Sequence, residues 1–167
     1  LYEPAKLPHP AFERLPDGAP AFAGKVKGEI AAYTPLPTSG IGADITPAQQ
    51  RKLIHGYYAG VSYVDAQIGK LMAELDRTGL SKNTIVVLWG DHGYHLGDHA
   101  IWTKHTNYEQ ATHLPLLFAG PGIGANQATR QLAETVDIYP TLAALAGLQR
   151  PAGPQPIDGQ SLVPVLK

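Results

Sequence analysis

Cysteine is absent from the 167-residue sequence, which removes disulfides, thiolate metal sites and a cysteine nucleophile from this chain. That absence does not fix the compartment, since many exported proteins also lack disulfides. Charge is scarce too: 16% of residues are charged, and 13 basic against 14 acidic side chains leave a net −1. With a pI near 6.7, the chain has no basic footprint, so neither nucleic acid nor a membrane surface is an expected partner. No apolar run approaches the ~20 residues needed to span a bilayer. The 44% hydrophobic content nevertheless suits one globular domain with a core. The opening LYEPAKLPHP has neither an initiator methionine nor a basic–apolar–small leader pattern. The chain is therefore expected to be a piece of something longer.

Proline is plentiful where regular structure is not. Pro4, Pro8, Pro10, Pro16, Pro20, Pro35 and Pro37 fall within residues 1–46. Each fixes φ and removes a backbone donor, so this segment is predicted to be irregular, wrapping over a larger body or bordering a substrate site. A second part, 47–167, carries the regular elements. Thr46 suits an N-cap, Pro47 the first helical position and Gly79 a C-terminal stop. Between them Ile54, Tyr57, Tyr58, Val61, Val64, Ile68, Leu71 and Leu75 recur at three- and four-residue spacing. The pattern predicts one long amphipathic helix with a buried stripe, its glycines 56, 60 and 69 serving close packing.

The run TIVVLWG (84–90) is continuously apolar and β-branched, and LPLLFAG (114–120) is similar. Both read as strands covered on two faces, as in a parallel α/β sheet. VDIYPTLAALAGL then reads as a short helix capped by Asp137, with Pro140 in its first turn and Gly147 at its end. PIDGQSLVPVL reads as a surface turn with an apolar anchor. Helix, strand, long loop, strand and helix imply a layered α/β body whose remaining strands come from sequence outside this chain.

The chemistry gathers after the first strand. In open α/β sheets ligands bind beyond the carboxyl ends of strands, and there stand Asp91 and His92, flanked by Gly90 and Gly93. A carboxylate oxygen and an imidazole nitrogen can share a metal ion, and the glycines permit the turn that would bring them together. Spacing alone leaves a second reading open, an aspartate capping a turn beside a hydrogen-bonding histidine. His95 and His99 are four apart, but Gly97 lies between them and no helical stripe flanks them. Polar lining of a pocket suits them better than a zinc pair, and His105 reads as an exposed loop residue. Lys104 is a compact cation able to hold sulfate or phosphate, although most lysines are solvated surface residues.

These residues also carry a resemblance. The run GVSYVDAQIGKLMAELDRTGLSKNTIVVLWGDHGYHLGDHAIWTKHTNYEQATHLPLLFAGPG, with VDIYPTLAALAGL and DGQSLVPVL after it, resembles the C-terminal half of the type I sulfatase catalytic domain. That family lies in the alkaline-phosphatase-like superfamily, and the likeness is greatest to its iduronate-2-sulfatase group and bacterial relatives. The resemblance covers residues 55–167 and implies a three-layer α/β/α fold, of which this chain holds only the C-terminal part. It implies sulfate-ester hydrolysis on a sulfated sugar. Asp91 and His92 then match a pair at a divalent metal, calcium or alternatively magnesium, with His92 also able to orient the sulfate. Lys104 matches a lysine on the sulfate and leaving group. Tyr94, His95, His99 and Trp102 lie on the loop beside the substrate, while His113 reads as structural.

The family nucleophile is a hydrated formylglycine made from Cys or Ser in a C/S-x-P/A-x-R motif. No stretch of this sequence has that motif. The nucleophile and the remaining metal ligands are expected in an N-terminal part of the same enzyme, on a separate chain or in further sequence. An exported enzyme is expected, periplasmic or extracellular, or lysosomal in a eukaryote. Two alternatives accompany this reading: a phosphonate or phosphodiester hydrolase of the same superfamily, and a non-catalytic carbohydrate-binding lobe.

Overall fold

The structure, a computed structural model, describes residues 1–24, 29–32, 45–150 and 153–167. Pro35 and Pro37 lie outside the described residues. The chain forms two compact units, one of residues 1–70 and 92–114, the other of residues 71–91 and 115–167.

In the first unit the described residues of the proline-rich stretch make short 3-10 turns, Pro4–Lys6, Ala21–Ala23 and Glu29–Ala32. Several of its apolar residues are nonetheless inside. Leu7, Ile30 and Ile45 are buried with Ile54 and Trp102 in one core, against which Tyr2, Leu53, Tyr58 and Leu96 pack. Full burial of such a side chain contributes about 1.5–3 kcal/mol. Tyr2 meets Tyr58 edge-on at 5.2 Å and shares a 2.5 Å hydrogen bond with Ser62.

The long helix α1 spans Pro47–Arg77. Its start is a reciprocal cap: the Gln49 amide donates to Thr46 Oγ1 at 3.4 Å, while the Thr46 amide donates to Gln49 Oε1 at 2.9 Å. Gly79 ends it in the left-handed region, φ +72°, and Leu80 after it is exposed. The expected buried stripe is realised only near the N-terminal end. Ile54 is buried, but Tyr57, Val61, Val64 and Leu71 are exposed. A Cβ added at Gly56, Gly60 or Gly69 would meet nothing within 4 Å, so within the described residues these glycines do not serve close packing. Periodicity shows that one face of a helix is apolar; it does not say that the same chain covers it.

In the second unit β1 (Val86–Trp89) pairs with β2 (Leu116–Ala119). The pairing is antiparallel, Val86 opposite Ala119 and Trp89 opposite Leu116, not parallel as the apolar runs suggested. A continuous apolar run reports coverage, not direction, and here Leu88, Trp89 and Leu117 are exposed. Gly120, at φ +135°, lies so close to the β1 approach that a Cβ there would sit 2.6 Å from the Thr84 carbonyl oxygen.

Helix α3 (Ile138–Leu145) follows a 3-10 turn, Thr135–Asp137. The Asp137 side chain does not cap α3's own amides; it accepts from the Glu134 amide at 2.9 Å and the Gln160 amide at 2.7 Å. Thr141, fully buried, donates to the Asp137 carbonyl and accepts from the Leu162 amide. The closing segment is thus fastened to α3 before its last turn, α4 (Val163–Leu166). Among the described residues no helix is long and apolar enough to cross a membrane.

Candidate active site

The chain leaves β1 through Gly90, whose amide donates to the Pro115 carbonyl at 3.1 Å and prolongs the ladder by one residue. Asp91 and His92 follow, both exposed. His92 Nδ1 lies 3.0 Å from its neighbour's carbonyl, Gly93 O. Gly93 itself is pressed onto the single-turn helix α2 (Glu109–Thr112). Its amide donates to Ala111 O at 2.9 Å, and a Cβ there would sit 2.0 Å from Gln110 O. Only glycine fits, so the exit direction of the Asp-His pair is set by backbone.

Residues 95–103 then fold back on themselves. The His95 amide donates to Thr103 O at 2.9 Å and the Gly97 amide to Ile101 O at 3.0 Å. At the tip His99 and Ala100, neither of them glycine, have φ of +61° and +58°, a conformation that costs of order 1–3 kcal/mol at each residue. Contacts from the proline-rich segment hold it. The Phe12 amide donates to Asp98 Oδ1 at 3.0 Å, the His99 amide donates to Phe12 O at 2.6 Å, and His99 Nδ1 lies 3.3 Å from Arg14 O. The His99 ring is stacked between Phe12 at 5.5 Å and Tyr108 at 4.4 Å.

His95 is fully buried. Its ring stands edge-on to Tyr108 at 5.8 Å and lies 6.2 Å from that of His99. Nε2 is 2.7 Å from Thr106 Oγ1, while Nδ1 has no partner in hydrogen-bond geometry. Burial holds the His95 pKa below the usual imidazole range, aided by the neighbouring His99 charge, with the Asp98 backbone and carboxylate opposing. Trp102 is buried in the core, and its carbonyl accepts from the Tyr94 hydroxyl at 3.3 Å. Tyr94 is half-buried, its ring 6.0 Å from Tyr57. Lys104 is half-buried, and its carbonyl accepts from the Thr106 amide at 2.9 Å. His105 and His113 are exposed, and His113 pairs with Glu109 at 3.3 Å.

The structure therefore gathers His95, His99, Tyr94, Trp102 and Lys104 on one folded loop that follows His92 in the first unit, while Asp91 ends a segment of the second. It also adds Phe12, Thr106 and Tyr108, which sequence reasoning did not single out. Thr106 and Tyr108 lie within the quoted WTKHTNYE run; Phe12 carries no local signal. No group of three or more His, Asp or Glu side chains among the described residues is arranged to hold a metal. The donors present fit a cation only as one side of a larger site. Asp91 offers a hard oxygen of the kind calcium and magnesium prefer, His92 a softer nitrogen, and calcium takes about 6–8 ligands.

Known proteins resemble this chain in sequence and in fold. The Sulfatase family model matches residues 7–148. Human iduronate 2-sulfatase is 34% identical over 165 residues, an alignment covering 82% of this chain and 30% of that protein. The phosphonate monoester hydrolase of Silicibacter pomeroyi superposes on 99% of this chain and 33% of its own, with a TM-score of 0.74 at 32% identity. BT4656, solved with its substrate D-glucosamine-2-N,6-O-disulfate, superposes on 74% of this chain and 26% of its own, with a TM-score of 0.66 at 32% identity. The chain thus spans about a third or less of each of these relatives. Its structural neighbours have the alkaline-phosphatase-like α/β fold, the fold that the family resemblance implies. With a family match running through both units and the whole 91–104 loop, the chain belongs to the sulfatase family.

Proposed function

We propose that this chain supplies one side of the active site of a metal-dependent sulfatase that hydrolyses sulfate esters on a sulfated sugar. The observation that carries the reading is the family match across residues 91–104, a stretch that holds an exposed Asp91 and His92 and a half-buried Lys104. The named substrates of two relatives, an iduronate sulfate and a disulfated glucosamine, support the sugar class.

In this reading Asp91 is a ligand of a divalent cation, calcium in preference to magnesium, and His92 either joins it or hydrogen-bonds a sulfate oxygen. When bound, the cation offsets charge on the sulfate oxygens. The Lys104 ammonium does the same from the loop side, where charge grows as the S–O bond breaks. Tyr94 and His99 shape the substrate side of the loop, backed by the buried His95 and Trp102. The nucleophile, a formylglycine, and the remaining metal ligands lie in the N-terminal part of the enzyme, which is this chain's first partner. The enzyme is exported, since sulfated polysaccharides are met outside the cytoplasm.

The test uses the full-length protein with a 2-O-sulfated uronate disaccharide, N,6-O-disulfated glucosamine and a phenylphosphonate monoester, with sulfate read by ion chromatography. Sulfate release that stops on chelation, together with formylglycine in the intact mass, is the expected result. A second reading, phosphonate hydrolysis, draws on the 99% superposition with the Silicibacter enzyme; turnover of the phosphonate ester alone would establish it. Sugar binding without turnover of any of the three would leave a carbohydrate-binding lobe.

A further inference from the structure

Lys104 sits between two residues that both answer to His95. On one side the His95 amide donates to the Thr103 carbonyl at 2.9 Å. On the other the His95 ring lies 2.7 Å from the Thr106 hydroxyl. Thr106 in turn closes a tight turn on Lys104, its amide donating to the Lys104 carbonyl at 2.9 Å, and its oxygen accepts from the Tyr108 amide at 3.4 Å. His95 and Thr103 are buried while Lys104 is only half-buried. A lysine reaches its target on a flexible four-carbon stem, so the place of its ammonium depends on where the backbone beneath it is held.

We propose that His95 is a positioning residue: through the Thr106 hydroxyl its ring fixes the backbone that follows Lys104, while the backbone amide of the same residue holds Thr103 just before it. This replaces the direct substrate contact that family resemblance implies for His95, and it rests on the sulfatase reading only in giving Lys104 a sulfate to meet. The ring is well suited to the task. Every atom of it is buried, and it is held edge-on by Tyr108. Because Thr106 Oγ1 already accepts from Tyr108, its own hydrogen can go to Nε2.

The experiment compares Thr106→Val, which keeps shape and loses the hydroxyl, with Thr106→Ser, which keeps it. His95→Phe breaks the same bond from the other end while filling the space. Two readouts are taken on the full-length protein. Hydrogen exchange at the Thr106 amide is expected to speed up about tenfold or more in Thr106→Val and His95→Phe and to stay near wild type in Thr106→Ser. On the sulfated disaccharide, kcat is expected to fall about ten- to a hundredfold in the first two with KM little changed, and to recover in Thr106→Ser. Unchanged exchange in folded Thr106→Val or His95→Phe overturns the proposal, as does unchanged kcat in an enzyme that Lys104→Ala inactivates. If exchange responds but no variant, wild type included, releases sulfate, the positioning role stands and the sulfatase reading falls.

Discussion

His95 Nε2 and Thr106 Oγ1 lie 2.7 Å apart across eleven residues of chain, inside a unit where the histidine has no solvent exposure. A buried imidazole held neutral ties stability to pH. Its folded pKa lies below that of the unfolded chain, mainly through loss of hydration. The unfolded state therefore binds more protons in the window between the two values. Stability is complete above the unfolded value, about 6.5, and is lost as pH falls from there through the folded pKa. Thermal melts of the full-length protein should show Tm falling as pH drops below about 6.5, and His95→Phe should flatten that fall. A wild-type Tm that is flat across the window would contradict the assignment.

Gly93 fixes the exit of the Asp-His pair, and the space around it is backbone on the facing side. A Cβ 2.0 Å from Gln110 O cannot be accommodated by a rotamer change. Gly93→Ala should destabilise the protein by about 1–3 kcal/mol and displace α2 from the 91–93 turn. Gly56→Ala, where a Cβ meets nothing among the described residues, should instead be neutral or stabilise α1 by up to about 1 kcal/mol. Chemical denaturation of the two variants side by side measures the contrast.

What could be read in the sequence was what local chemistry decides. Thr46 and Pro47 announce the start of α1 within a few residues, and Gly79 its end, because caps are built from neighbours. Both strands were legible from their apolar runs. Their antiparallel pairing was not, since strand direction is set by the return path through residues 90–115. The aromatic sandwich on His99 was invisible for a related reason. Its Phe12 wall lies in the proline-rich segment, which has no periodicity, and the Phe12–Asp98 bond spans 86 positions. The roles given to Asp91, His92 and Lys104 came from the ordered likeness to a family; spacing alone left each of them ambiguous.

Asp137 carries the closing segment. Its carboxylate accepts the Glu134 and Gln160 amides, and its carbonyl accepts the Thr141 hydroxyl. Asp137→Ala removes both side-chain bonds and should cost about 1–3 kcal/mol. Asp137→Asn keeps one acceptor oxygen and should cost less. Limited proteolysis gives an independent reading: cleavage after residue 153 should quicken in Asp137→Ala and only slightly in Asp137→Asn.

Asp91 and Lys104 are assigned different tasks, and their substitutions should fail differently. Asp91→Ala removes a hard oxygen from the cation, so bound metal in the full-length enzyme, measured by elemental analysis, should fall along with activity. Excess calcium should restore part of the rate if the remaining ligands still gather the ion. Lys104→Ala leaves the metal in place and removes a cation that meets growing negative charge; kcat should fall about a hundred- to a thousandfold with metal content unchanged. Lys104→Arg should rescue little, because a planar fork does not place its charge where a compact ammonium does. Full activity in Asp91→Ala at unchanged metal stoichiometry would remove Asp91 from the metal site, and a near-wild-type kcat in Lys104→Ala would remove the lysine from the sulfate.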